Sequence, residues 1–157
     1  MNRIIDVGLR DLSAIIYRMG DLAYQAVSMA IHESLYGGVS YDKIKDISDT
    51  LIILADQVED KAFEMIIRFQ PVASDLRIIK SYMKISYDLA RFGRYALDIS
   101  YINKRFGGLK EGEEWMRSYT ASMSSKALNM IKMSIEALRS QKTETARNVS
   151  EIEKDID

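Results

Sequence analysis

Two kinds of side chain in this sequence have the type and spacing to hold a ligand: carboxylates four residues apart, and a row of cations. Asp56 and Asp60 form one acidic pair, and Glu153 and Asp157 form another. A four-residue step puts both carboxylates of a pair on one face of a helix, where they can contribute to a metal site or simply face solvent. Two carboxylates alone hold a metal weakly, and a full site draws ligands from more than one element. Arg77, Lys80, Lys84, Arg91 and Arg94 follow at intervals of three, four, seven and three, with Tyr87 among them. They share one flank of a helix, which is either a solvated face salted by acids of neighbouring helices or a flank that binds an anion or an acidic partner.

Catalytic arrangements are harder to assemble. The one histidine, His32, has Met29 three positions before it. The Glu-x-x-His pairs of a ferritin-like di-iron bundle are therefore missing, and His32 reads as a helix-surface or boundary residue. Cysteine is absent, which removes thiolate nucleophiles, disulfides and cysteine-ligated metals, and fits a reducing compartment. One imidazole with no glycine-framed serine makes no triad. Gly37-Gly38 and Gly107-Gly108 lack the spacing and the lysine of a phosphate-binding loop. The expectation is a protein that is not an enzyme, carries no cofactor, and acts by binding.

The elements that must position these residues are helices. Apolar residues recur at three and four in Leu12, Ile15, Met19, Leu22, Ala26 and Met29, which predicts a first helix over 9–35, stopped by Gly37-Gly38. Ser40 is placed to cap a second helix carrying Ile44, Ile47, Leu51, Leu54, Val58, Ala62 and Met65. Pro71 lacks an amide hydrogen and suits a first helical turn, so a third helix is expected to begin at about Pro71 and pack antiparallel on the second. Its stripe is Ile78, Tyr82, Ile85, Leu89, Phe92, Ala96 and Ile99, and Gly107-Gly108 ends it. Met116, Tyr119, Met123, Ala127, Met130, Ser134 and Leu138 mark a fourth helix, and Val149, Ile152 and Ile156 begin a fifth. Trp115 is expected half-buried at the bundle end, in preference to a base-stacking platform.

The chain is therefore expected to be all-α, an antiparallel helical bundle of one-domain size at 157 residues. Cations and acids nearly balance, at 22 against 23 with a net charge of −1, so no global field draws it to nucleic acid or anionic lipid. No stretch is apolar enough for a secretory signal or a membrane span, which predicts a cytoplasmic protein that is peripheral to membranes at most.

An internal repeat organises these helices. Met19, Ala23, Met29, Ile31 and Ile52 recur 104 residues later as Met123, Ala127, Met133, Ile135 and Ile156. The unit is about three helices long. A first repeat is expected over 1–106, and 109–157 forms an incomplete second one.

The segment Gln70-Pro71-Val72-Ala73-Ser74-Asp75-Leu76-Arg77 resembles the signature that joins the second and third helices of the PhoU family. Leu9, Leu12, Met19, Gly20, Ala23 and Ala26 are similar to that family's first helix, and Ile85, Asp88, Leu89, Gly93 and Ala96 to its third. The resemblance implies tandem three-helix PhoU-like repeats and a cytoplasmic regulator working beside a phosphate ABC transporter and, in bacteria, a sensor histidine kinase. Within the signature, Pro71 fixes the reversal, Ser74 and Asp75 suit the first turn, and Arg77 is placed to tie back to Asp75 or helix two. Gln70, Pro71, Asp75 and Arg77 then build a tight corner or present a docking surface.

The resemblance also implies iron or zinc on acidic E/D-x-x-x-D motifs, but the third-helix motif is broken here. The family's Leu-Glu-Arg-Ile-Gly-Asp-His-Ala reads Leu89-Ala90-Arg91-Phe92-Gly93-Arg94-Tyr95-Ala96, so Ala90 and Arg94 replace both acids. The leading expectation is a regulator of phosphate homeostasis. Against it stand a helical dimerisation module for another transporter and a metal-binding bundle. The apolar stripe of the fourth and fifth helices is costly in water, so it is expected to be covered by self-association in a homo-oligomer such as a dimer, or by residues beyond those given.

Overall fold

A computed structural model describes residues 4–154. The chain is an all-α bundle of five helices and no strand among those residues: α1 (Ile4–Tyr36), α2 (Tyr41–Phe69), α3 (Ala73–Phe106), α4 (Glu114–Ser140) and α5 (Thr143–Lys154). Helices α1, α2 and α3 pack pairwise on one another, α4 packs on α1, and α5 packs on α4. Ile156 and Asp157 lie outside the described residues.

Sequence pattern accounts for the three-helix core. All seven expected positions of α2, from Ile44 to Met65, are buried. On α1 the buried apolar residues include Leu12, Ile16, Met19, Ala23, Ala26, Val27 and Ala30, with Ile15, Leu22 and Met29 partly covered. That apolar arc is broad because α1 has neighbours on both sides, α2 and α3 on one and α4 on the other. Side chains such as Leu12, Ile16, Leu51 and Ile79 are fully buried, each contributing about 1.5–3 kcal/mol relative to exposure.

Small residues set how closely the helices approach. A Cβ at Gly93 would stand 2.7 Å from Leu51 Cδ1 and 3.3 Å from Ser48 Cα, so α2 and α3 touch there almost backbone to side chain. Gly37 closes α1 at φ 82°, and its amide donates to Glu33 O at 2.9 Å.

Several expectations are corrected. Ser40 occupies the position before α2 but its side chain makes no capping bond. The reversal after α2 is made by Gln70, in a left-handed conformation (φ 43°, ψ 61°), and α3 starts at Ala73, with Val72 extended before it. On α3, Tyr82, Leu89 and Ala96 are buried as expected, whereas Ile78 and Ile99 are 41% and 37% exposed. The core face of α3 is rotated toward α2 and uses Ile79, Ser86, Gly93 and Ser100 instead. Trp115 is 65% exposed, not half-buried.

The α4 stripe is present but thinly covered. Leu128, Ile131 and Leu138 pack toward the core, while Met116, Tyr119 and Met123 stay exposed. Met19 is fully buried and its repeat counterpart Met123 is 40% exposed, because among the described residues no third helix lies over α4 and α5.

Candidate functional site

The Gln70–Arg77 corner is held by backbone. The Gln70 amide donates to Ile66 O at 3.2 Å and the Leu76 amide to Val72 O at 3.0 Å, so the last carbonyls of α2 and the first amides of α3 find partners without a side-chain cap. Asp75 is buried in the first turn, where negative charge suits the positive end of the helix dipole. Arg77 forms no ion pair with Asp75; it is exposed. Ile67, Val72 and Leu76 leave an apolar tip at the corner, 75%, 64% and 42% exposed.

The five cations of α3 do not behave alike. Arg91 folds along its own helix between two tyrosines, its Nε donating to Tyr95 Oη at 3.1 Å and its guanidinium lying 5.9 Å from the Tyr87 ring centroid and 5.4 Å from that of Tyr95. The bond to the Tyr95 hydroxyl pushes its pKa further up, so it is cationic at any working pH. Arg77, Lys80, Lys84 and Arg94 are exposed and have no acidic partner among the described residues. Arg91 also stands 3.9 Å from Asp88 of its own helix, but among the described residues no acid of another helix salts this flank. Of the charges on α2, Lys61 pairs with Asp11 at 3.0 Å, Lys45 with Asp49 at 2.8 Å and Arg68 with Glu64 at 2.8 Å.

Packing splits the row. Arg77 lines a groove of about 450 Å³ between α3 and α4, with Ser74, Ser81 and Ile85 on one wall and Leu138 and Gln141 on the other. Its floor includes Tyr82, a phenol pushed up in pKa by burial and by its bond with Tyr17. Across that groove α4 is tied to α1 by Arg139, whose guanidinium bonds both oxygens of Asp21 at 2.7 and 2.6 Å and lies 5.6 Å from the Tyr17 ring. Lys80 and Arg94 lie toward α2 instead, on the flank that continues to Tyr101 and its contact with Tyr41.

The acidic pairs stay apart from other ligands. Asp56 and Asp60 are both exposed on α2, Glu153 is exposed on α5, and Asp157 lies outside the described residues. Among the described residues no group of three or more His, Cys, Asp or Glu side chains comes together. Asp56 and Asp60 alone do not make up the ligand set of an iron or zinc site, and the third-helix positions where the family carries acids hold Ala90, which is buried, and Arg94, which is exposed. His32 sits exposed near the end of α1, its ring 5.1 Å from that of Tyr36.

Sequence reasoning missed a polar hub at the other end of the bundle. Glu33 is buried, and Ser100 Oγ donates to its Oε2 at 2.8 Å. Beside it Asn103 Nδ2 donates to Ser34 Oγ at 2.7 Å, and the Leu109 amide donates to Ser34 O at 2.6 Å. These bonds fasten the α3–α4 connection onto the C-terminus of α1. The available signal was that Glu33 and Ser100 fall on stripe positions, where an unpaired polar group would be costly.

No described helix is long and apolar enough to cross a membrane. A family model described as the PhoU domain matches residues 16–102 and 120–157. The chain is 30% identical over 158 residues to a protein of Clostridium acetobutylicum named phosphate-specific transport system accessory protein PhoU homolog, an alignment that covers 99% of this chain and 71% of that one. A Pseudomonas aeruginosa protein of the same name is 26% identical over 152 residues, covering 95% of this chain and 62% of its own length. One from Pseudomonas putida is 24% identical over 152 residues, with 95% and 58% covered. No solved structure matches the chain closely enough to count as similar.

Proposed function

Because the chain belongs to the PhoU family, we propose that it is an accessory regulator of phosphate uptake that works by contact with other proteins. Its partners on this reading are the components of a phosphate ABC transporter, on their cytoplasmic side, and a sensor kinase. The observation that carries it is the family match, which spans most of α1 to α3 and returns in α4 and α5, together with relatives named for a phosphate-specific transport system. The chain spans 71%, 62% and 58% of those relatives' lengths, so the role of a whole relative is extended to it as a proposal.

Chemistry on the surface supports a docking role over a catalytic one. Lys84, with no acidic partner, and Arg91, held between its tyrosines and 3.9 Å from Asp88, place two cations against one acid on the part of α3 turned away from α2. Such a flank attracts an acidic surface, speeds encounter with it, and weakens as salt rises.

The test is phosphate accumulation in cells lacking the gene. With phosphate plentiful, accumulation should rise in the deletion strain and return to normal when the wild-type gene is restored. The pair Lys84→Glu with Arg91→Glu should restore it poorly. Unchanged accumulation in the deletion strain contradicts the regulatory role, and full restoration by the double variant contradicts the docking flank.

A further inference from the structure

The parallel helices α1 and α3 end side by side, and the connection from α3 to α4 crosses the end of α1, leaving a cavity of about 630 Å³. Glu33, Asn103, Phe106, Lys110 and Glu111 line it, and the rest of its wall is glycine, which puts no side chain over the main chain. Glu33 lies at its floor, only 3% exposed. Ser100 Oγ donates to Glu33 Oε2 at 2.8 Å, and among the described residues no other hydrogen bond or ion pair reaches the carboxylate. Oε1 has no partner and yet is not sealed from solvent, so it opens into the cavity. Asn103 adds an acceptor, because its amide nitrogen donates to Ser34 Oγ at 2.7 Å and to Ala30 O at 3.4 Å and leaves Oδ1 over. The Gly37, Gly107 and Gly112 amides are already used in main-chain bonds, so the glycine wall offers mainly carbonyls.

A buried carboxylate is costly unless a cation meets it. None of the chain's own cations at this end does so among the described residues. Lys104 Nζ lies 4.5 Å from the Tyr41 ring centroid, Arg105 donates to Tyr101 Oη at 2.9 Å, and Arg117 pairs with Glu114 at 3.4 Å. The Lys110 stem is laid across the end of α1, its Cδ 3.1 Å from where a Gly37 Cβ would stand, and its ammonium forms no ion pair among the described residues. The C-terminal ends of α1 and α3 add partial negative charge to the same opening.

We propose that this cavity binds a small alkylammonium ion, with Glu33 as the buried counter-ion and Glu111, exposed at the rim, as the second anchor for a diamine. An ammonium group is all donor, and the wall it meets is rich in acceptors. The opening has room for a chain of several carbons, since one water occupies about 30 Å³. A bare metal ion is a poorer match, because among the described residues no three His, Cys, Asp or Glu side chains gather. Lys110 stands in the same lining as a competing cation and weakens the binding. This site lies apart from the Lys84–Arg91 flank and does not depend on the regulatory reading.

Isothermal titration calorimetry on the whole chain with the diamine putrescine, at fixed ionic strength, tests it. Wild type is expected to bind with a Kd below about 1 mM, and to bind tetramethylammonium, which has no N–H, and magnesium ion at least about tenfold more weakly. Glu33→Gln keeps the shape and an acceptor for Ser100, and should weaken putrescine at least about tenfold with unchanged helix content. Lys110→Met removes the competing cation at an exposed position and should tighten putrescine roughly two- to fivefold. A purely structural role for Glu33 produces no such gain, so this variant decides the matter even where Glu33→Gln fails to fold. Wild type that gives no binding up to roughly 10 mM putrescine overturns the proposal. So does tetramethylammonium or magnesium bound as tightly, a folded Glu33→Gln that binds as wild type does, or a Lys110→Met that binds no more tightly.

Discussion

Substituting Gly93 tests the packing that sets the register of α2 against α3. A Cβ there would lie 2.7 Å from Leu51 Cδ1 and 3.3 Å from Ser48 Cα, against a comfortable carbon–carbon separation of about 3.5–4.0 Å. Leu51 is fully buried and has little room to retreat, and the Ser48 contact is backbone. Gly93→Val adds two further methyl groups to that space. Overpacking of this kind costs about 1–3 kcal/mol, of which the better helix propensity of valine returns a few tenths. For a domain of this length each kcal/mol moves Tm by about 2–4 °C, so Gly93→Val should melt roughly 3–10 °C lower in a thermal scan followed by circular dichroism. The cause is checked by a double-mutant cycle. Leu51→Ala alone should cost about 2–5 kcal/mol, but part of the cavity it opens is where the valine goes. The double variant should then be more stable than additivity requires by at least about 1 kcal/mol. A Gly93→Val protein as stable as wild type, or strict additivity with Leu51→Ala, would refute the close approach.

Two further outcomes follow from buried polar groups. Ser100→Ala removes the donor to Glu33 Oε2 and should destabilise the bundle by about 1–3 kcal/mol in urea unfolding, a loss expected to shrink in a Glu33→Gln background. The Tyr82 phenol has a pKa above the ordinary 10.0, first from burial and then from Tyr17. The unfolded chain therefore releases that proton first, and the stability Tyr82 contributes is complete below about pH 10 and declines as pH rises through its folded-state pKa. Tyr82→Phe should flatten the fall of Tm between about pH 9 and pH 11 relative to wild type, and identical slopes would count against the buried phenol.

Much of the fold was legible because α2 faces its neighbours squarely, so apolar periodicity alone picked out Ile44 through Met65. On α3 the same method missed by about one position. Its contact with α2 is made through Ser86, Gly93 and Ser100, residues too small or too polar to register as a stripe, and the close approach they permit turns Ile78 and Ile99 outward. Burial along α4 was not legible either, since a stripe records what a helix can cover and not whether a neighbour is there to cover it. The spacing of Arg77, Lys80, Lys84, Arg91 and Arg94 showed one flank. Only packing showed that Arg77 belongs to the groove beside α4 while Lys80 and Arg94 stand on the side of α2. The Glu33–Ser100 bond joins residues 67 positions apart, and no local pattern connects them.

The regulatory account rests on contact with a phosphate transporter, and affinity purification of the tagged chain from its own phosphate-replete cells tests that most directly. Transporter subunits should co-purify with wild type at low salt and be depleted from the Lys84→Glu, Arg91→Glu variant. Recovery of the chain without any transporter subunit, under conditions that preserve its fold, would contradict the account.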